Sequence, residues 1–561
     1  MSSDVGAATA APATPTPWRP DAREALASAG LVMLVALVGG IVASTAIVFP
    51  KPEDTAYYVG VARNVLEGRG LVSDAIWSYA TPPLSFPRPA FEVWLPLPSL
   101  LAVGPMWLFG TTFSAAQWVS MLAGALVAGL AWRLAADVAV ERTLPAGRAR
   151  TLALGVGLTT AVYLPVVLSG ALPDSTLVFA AIALAACLLM TRVLRDPGAG
   201  RLGDPRVWAI GLLLGLGALT RNEAVWLALA WAGLVVVQRS IGRAAKVRLV
   251  GLAALVSIAV YAPWAVRDWL AFGSAFPGQA LDNALSVNGT DIFAWADPPT
   301  LQRYLDQGLA TLLELRVTGT LHNLLNVLLF LGIPVSIAGL LGLPWAARLR
   351  SLRPLVVYAV VTFLVASLLF PVSTTWGTFL HAAGAIHVLL VVSALLALDG
   401  LIARVGVIRG WTRPVAWLGA TFAIVGSILF SLVLLPSFAA GSRQTEVAYE
   451  AIGPVLAEAG LPLIPSSPVV TDYPIWLAET WRQETLALPD EPPAAVLDLA
   501  AAFPGTRTLV LFGGLHERWP DALDDGEPGS ECFTEVPLAV PDDPAAAEVL
   551  DGVRAWRIGC P

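Results

Sequence analysis

The sequence predicts an α-helical polytopic membrane protein of about eleven spans, followed by a small C-terminal α/β domain. Three observations predict this class. Of 561 residues 56% are hydrophobic and only 13% charged, too little charge to cover a soluble surface of that length. Apolar runs of spanning length recur between residues 29 and 436. Beyond them, residues 437–561 hold 20 Asp and Glu against 6 Lys and Arg, so the tail is strongly acidic and the membrane part net positive. That division argues against nucleic acid as a partner of either part.

In chain order, residues 1–28 are rich in Ala, Pro and Thr and read as a disordered cytoplasmic tail. Spans follow at 29–49, 113–135, 151–171, 175–193, 249–266, 320–343, 354–371, 378–398 and 414–436, with a split pair at 207–219 and 224–238 around Thr220-Arg221-Asn222-Glu223. The first run is long for a signal peptide and lacks a basic flank, so it reads as an uncleaved span. Five connecting loops carry Arg133, Arg142, Arg148 and Arg150; Arg192, Arg195, Arg201 and Arg206; Arg239, Arg243, Lys246 and Arg248; Arg348, Arg350 and Arg353; and Arg404, Arg409 and Arg413. The positive-inside rule puts all five in the cytoplasm.

Val93–Phe109 is apolar but short and carries Pro96, Pro98 and Pro105. As an interfacial or re-entrant segment of the first outer loop (50–112), it leaves eleven spans, a cytoplasmic N-terminus and an extracytoplasmic tail. Glu53 and Asp54, Asp174, the Thr220–Glu223 turn, Arg267-Asp268 and the domain at 437–561 then share one outer face. Within that domain TEVAYEAIGPVLAEAG and PPAAVLDLAAAF are helix-like, while SPVVTD, TRTLVLFG and VRAWRIGC are strand-like. Cys532 and Cys560 are its two cysteines, and an oxidising compartment predicts a disulfide between them.

The polar residues on that face each have a structural and a functional reading. Asp54, before the amphipathic TAYYVGVARNVLEG, is a helix cap or a general base, and one residue can be both. Asp174, after Pro173, is a cap or a second orienting carboxylate. Arg88 anchors headgroups or holds a lipid phosphate through its forked guanidinium. Arg221 with Glu223 is an internal ion pair or a second cation site, and Arg267-Asp268 reads as a simple ion pair. His381 reads first as an interfacial histidine and second as a ligand. No Walker, Rossmann, HExxH or GxSxG pattern is present.

The run Asp54-Thr55-Ala56-Tyr57-Tyr58, the helix end Arg63–Gly70, LTRNEAVWLALA and APWAVRDWLAFGSAFPGQ resemble the membrane glycosyltransferases of the GT-C type. That group includes the protein O-mannosyltransferases, the lipid A aminoarabinose transferase and family-39-like bacterial members. The resemblance implies a multi-pass inner (plasma) membrane enzyme, a hexosyl or pentosyl transferase. It would move sugar, with inversion, from a polyprenyl-phosphate carrier to a lipid, glycan or protein acceptor on the extracytoplasmic side. It implies Asp54 as base, Asp174 as second acidic residue, and Arg88 on the donor phosphate with Arg221 or Arg63 beside it. Glu53, Tyr57, Tyr58, Glu223 and His381 are the further expected substrate contacts. Thr55 and Ala90 depart from the group's pattern, and the Asp-x-Asp of metal-dependent oligosaccharyltransferases is missing, so no metal residue is expected and a divalent metal lacks support. Two alternatives remain open: a lipid or sugar transporter or flippase, and an inactive family member acting as a membrane scaffold.

Overall fold

The computed structural model describes residues 18–196, 203–411 and 415–560; residues 1–17 of the expected tail, Arg201 and Arg413 lie outside them. Helix α1 (Ala22–Ala46) starts inside the segment expected to be disordered, because Asp21 accepts the Glu24 N–H at 2.7 Å and caps it. The first loop holds α2 (Glu53–Leu66), short strands β1 (Val72–Ser73), β2 (Ala75–Ile76) and β3 (Arg88–Pro89), and α3 (Leu97–Phe109). At 13 residues α3 is about 20 Å long, and it exposes Leu100, Leu101, Trp107, Leu108 and Phe109.

The helices that follow are α4 (Phe113–Ala116), α5 (Trp118–Glu141), α6 (Ala146–Val162), α7 (Leu164–Gly170), α8 (Ser175–Arg195), α9 (Pro205–Ala218), α10 (Ala224–Val237) and α11 (Arg243–Phe272). A connection with α12 (Ala280–Leu285) and α13 (Leu301–Asp306) leads to α14 (Gly308–Leu321), α15 (Val335–Ala346), α16 (Arg353–Leu368), α17 (Thr378–Ala382), α18 (Gly384–Ile408) and α19 (Trp417–Glu458). Among the described residues six helices are long and apolar enough to cross a membrane, or eight when each of two bent pairs counts as one span. The chain is a multi-pass membrane protein.

Two expected spans are not straight. The segment at 320–343 turns by 117° between Gly332 and Val335, where Pro334 cannot donate to the preceding turn. The segment at 151–171 bends by 48° between α6 and α7. Helices α9 and α10 have 14 residues each, about 21 Å, because the Thr220–Glu223 turn stops one and starts the other. Gly211 and Gly215 let α9 press against α11: a Cβ there would stand 2.7 Å from the Ala253 carbonyl oxygen and 2.6 Å from Val260 Cβ.

Helix α19 passes position 437 unbroken and carries the chain into the acidic tail. There β4 (Val469–Thr471), α20 (Pro474–Trp481), β5 (Thr485–Ala487), α21 (Pro493–Ala502), β6 (Thr508–Leu511), β7 (Phe533–Val536) and β8 (Arg554–Ile558) form a mixed sheet. Its order is β2-β5-β4-β6-β8-β7, with β2, β5, β4 and β6 parallel and β8 antiparallel to both β6 and β7. The edge strand β2 comes from the first loop. That loop and the tail therefore lie on one side of the bundle and share a core, in which Phe49, Tyr449 and Trp476 pack together. Cys532 and Cys560 are disulfide-bonded next to β7 and β8.

Candidate active site

Three separate segments bring charge to one point. Pro52 leads into α2, whose first turn carries Asp54, and Asp54 Oδ1 accepts the Thr55 N–H at 2.9 Å. Asp174 is the N-cap of α8 and accepts the Thr176 N–H at 2.7 Å. His381 lies on α17, one turn after Gly377, whose φ of 108° suits glycine and where a Cβ would stand 3.3 Å from His381 Nε2. The imidazole fits between the two carboxylates. Its Nε2 is 3.1 Å from Asp54 Oδ2, its Nδ1 is 3.5 Å from Asp174 Oδ2, and Thr176 Oγ1 is 2.7 Å from Nδ1. Burial pushes the Asp174 carboxyl up to about 6, with His381 pulling the other way.

Asp54 and His381 line a cavity of about 600 Å³ between the bundle, the first loop and the start of α20. Among the described residues Arg221 is the one Lys or Arg on its wall. Its Nε and Nη2 donate to Glu223 at 3.0 and 2.8 Å, and its Nη1 donates to Ser175 Oγ at 2.9 Å. The pair is held at the α9–α10 break and faces the same space as Asp54. Tyr58 also lines it. Glu53 reaches the wall, but its oxygens accept the Ile475 N–H at 2.9 Å and the Trp77 Nε1–H at 3.2 Å, and burial raises its carboxyl to about 8. It ties α20 to the first loop.

Three expected residues stand elsewhere. Arg88 is fully buried: Nε donates to Glu92 at 3.0 Å, Nη1 to the Pro83 carbonyl at 2.5 Å and Nη2 to the Thr81 carbonyl at 2.7 Å. Its guanidinium folds the loop and has no face on the cavity, which corrects the phosphate role expected of it. Arg63 is paired with Glu479 and joins α2 to α20. The Tyr57 hydroxyl accepts the Phe91 N–H at 2.6 Å in the loop core. Arg267 donates to Asp268 at 3.0 Å and to the Ala90 carbonyl at 2.7 Å, the ion pair expected of it.

Sequence reading missed Thr176, which the PDST run places beside the site without marking it, and the indoles of Trp77, Trp94, Trp226, Trp376 and Trp476 on the cavity wall. It also expected no metal residues. Ligand atoms of Asp54, Asp174 and His381 all lie within 4.8 Å of one another, and two carboxylates with an imidazole form a donor set that fits a divalent cation such as Zn²⁺ or Mn²⁺. A motif search for paired acids in one segment cannot find a group assembled from three.

The bundle, its first loop and the C-terminal α/β domain share their fold with solved GT-C proteins. Among its structural neighbours are ArnT from Cupriavidus metallidurans bound to undecaprenyl phosphate, and the Archaeoglobus fulgidus oligosaccharyltransferase. ArnT superposes with a TM-score of 0.57 at 15% identity, over 95% of this chain and 98% of that one. The oligosaccharyltransferase tethered to an acceptor peptide containing the NVT sequon gives 0.52 at 15% identity over 87% and 68%. Its complex with Zn and sulfate gives 0.51 at 12% over 86% and 67%. No family model and no curated protein matches the chain.

Proposed function

We propose that this protein is an inverting glycosyltransferase that moves a sugar from a polyprenyl-phosphate carrier to a lipid, glycan or protein acceptor outside the membrane. The observation that carries the reading is that Asp54 and His381, with Asp174 beside the imidazole, share with Arg221 the wall of a cavity of about 600 Å³. Asp54 takes the acceptor proton as the acceptor oxygen attacks the anomeric carbon. The carbon–oxygen bond to phosphate breaks in the same displacement, inverting the centre, and polyprenyl phosphate leaves with both bonding electrons. Arg221 stabilises the charge that grows on that phosphate. Asp174 and Thr176 hold the imidazole, and the imidazole holds Asp54 in place.

Asp54, Asp174 and His381 would hold a divalent cation, which supplies Lewis-acid polarisation of phosphate oxygen when bound. In this reading the chain makes eleven spans, with 1–28 in the cytoplasm and the domain at 437–561 outside an inner membrane. The two short helices α9 and α10 cross with α16, and each bent pair makes one span. The β2–β5 pairing supports one common side for loop and tail. Purified protein in proteoliposomes, given a polyprenyl-phosphate sugar and envelope acceptors, is expected to release polyprenyl phosphate in step with glycosylated product. Movement of intact donor across the bilayer without release would favour a flippase instead.

A further inference from the structure

Beyond the ionic group, the cavity wall contains amides, hydroxyls and indole rings. Gln279 and Asn283 come from the segment around α12, Asn288 from the turn after it, and Ser373 from the stretch before α17. Gln279 Nε2 donates to Ser78 Oγ at 2.6 Å, which fixes the amide and leaves its oxygen for the cavity. Ser373 Oγ donates to the Asn283 carbonyl at 3.3 Å and joins the two segments. Trp77 and Trp94 pack at a tilt with ring centroids 4.8 Å apart, and Trp376 meets Phe293 edge-to-face at 5.6 Å, so neighbouring rings hold these indoles in place.

Charge on this wall is already matched. Both Glu223 oxygens are held by Arg221, and both Glu53 oxygens are taken by the Ile475 and Trp77 N–H groups. Asp54 faces His381 and the Thr55 N–H. Among the described residues every carboxylate oxygen on the wall already has a partner, and Asp54 is assigned above to the acceptor, so none is left over for an ammonium group. Among the described wall residues the one cation, Arg221, is assigned to phosphate above, so a sugar carboxylate would have no partner either. Burying an unpaired charge is costly, whereas hydroxyls are satisfied by amides that both donate and accept. Flat indole faces cover the C–H faces of a sugar ring.

We infer that the transferred sugar is neutral, a hexose or pentose bearing hydroxyls but neither a free amine nor a carboxylate, and that Gln279, Asn283 and Asn288 read those hydroxyls. This rests on the glycosyl-transfer reading for the position of the phosphate.

Full-length protein in nanodiscs is titrated with farnesyl phosphate bearing a neutral hexose, an aminohexose with a free amine, or a hexuronic acid. Binding is read by tryptophan fluorescence, and farnesyl phosphate release is followed separately with envelope acceptors. The neutral donor is expected to bind at least about tenfold more tightly than either charged one. Asn283→Asp is expected to raise the relative affinity for the aminohexose donor about tenfold or more, since it adds the missing carboxylate. Equal binding of the three donors, or tighter binding of a charged one, would overturn the inference. Faster release from the aminohexose donor would also overturn it while leaving glycosyl transfer standing. Selective binding of the neutral donor with no release from any donor would sustain the neutral-sugar assignment and sink the transferase reading.

Discussion

His381 Nε2 stands 3.1 Å from Asp54 Oδ2, joining the first loop to the entrance of α18 through one close contact. The same ring turns its Nδ1 to Thr176 and Asp174. A carboxylate held this way keeps one orientation towards the acceptor. His381→Gln is therefore expected to lower kcat by roughly 100-fold with little change in donor KM. Steady-state kinetics in proteoliposomes check this, and a change confined to KM would move His381 into donor binding.

Asp174 is expected to set the acid side of the pH profile. Burial raises its carboxyl to about 6, so it gains a proton as pH falls through that region, well before an ordinary carboxylate would. The protonated form no longer offers negative charge to His381. Activity is expected to fall on the acid side near pH 6. Asp174→Asn is expected to be slow at every pH and to lack that limb. A wild-type acid limb in the Asn variant would assign it to another group.

Arg221 is the cation assigned to phosphate, and its partner complicates the obvious test. Arg221→Ala leaves Glu223 charged and unpaired, which costs about 3–5 kcal/mol at a buried site. Arg221→Ala with Glu223→Gln removes both charges and is expected to fold. It should raise donor KM about tenfold or more, and Arg221→Lys with Glu223 intact should recover only part of the loss. Unchanged donor KM in the double variant would remove Arg221 from the phosphate site.

Asp54 and Asp174 were legible because each lies at a helix start beside an apolar run, where capping and chemistry ask for the same residue. The three strands at SPVVTD, TRTLVLFG and VRAWRIGC are β4, β6 and β8, since β-branched and aromatic residues cluster there. Arg88 misled because composition shows a cation next to aromatics but not which way it points; its buried partner Glu92 is recognised only once the loop is folded. The two-residue strand β2 is too short to carry a period, and it gains its identity from β5, far along the chain. His381 looked like an isolated histidine because both of its carboxylates are remote in sequence.

The Arg88–Glu92 pair gives a stability prediction. Both side chains are almost fully enclosed, at 0% and 1% exposure. Arg88→Ala strands the Glu92 carboxylate and is expected to cost about 3–5 kcal/mol, seen as a lower unfolding temperature and poorer yield. Donor KM of the protein that survives should match wild type. A normal unfolding temperature with a raised donor KM would return Arg88 to the phosphate.

The most direct test of the whole account is the transfer rate of Asp54→Asn at saturating donor and acceptor, measured beside donor binding in the same preparation. Asn keeps an oxygen for the Thr55 N–H and so preserves the start of α2, but it cannot accept a proton. The account predicts donor binding within about twofold of wild type and a kcat lowered by roughly 1,000-fold or more. A kcat within about threefold of wild type, with donor bound normally, would contradict Asp54 as the base and the mechanism built on it.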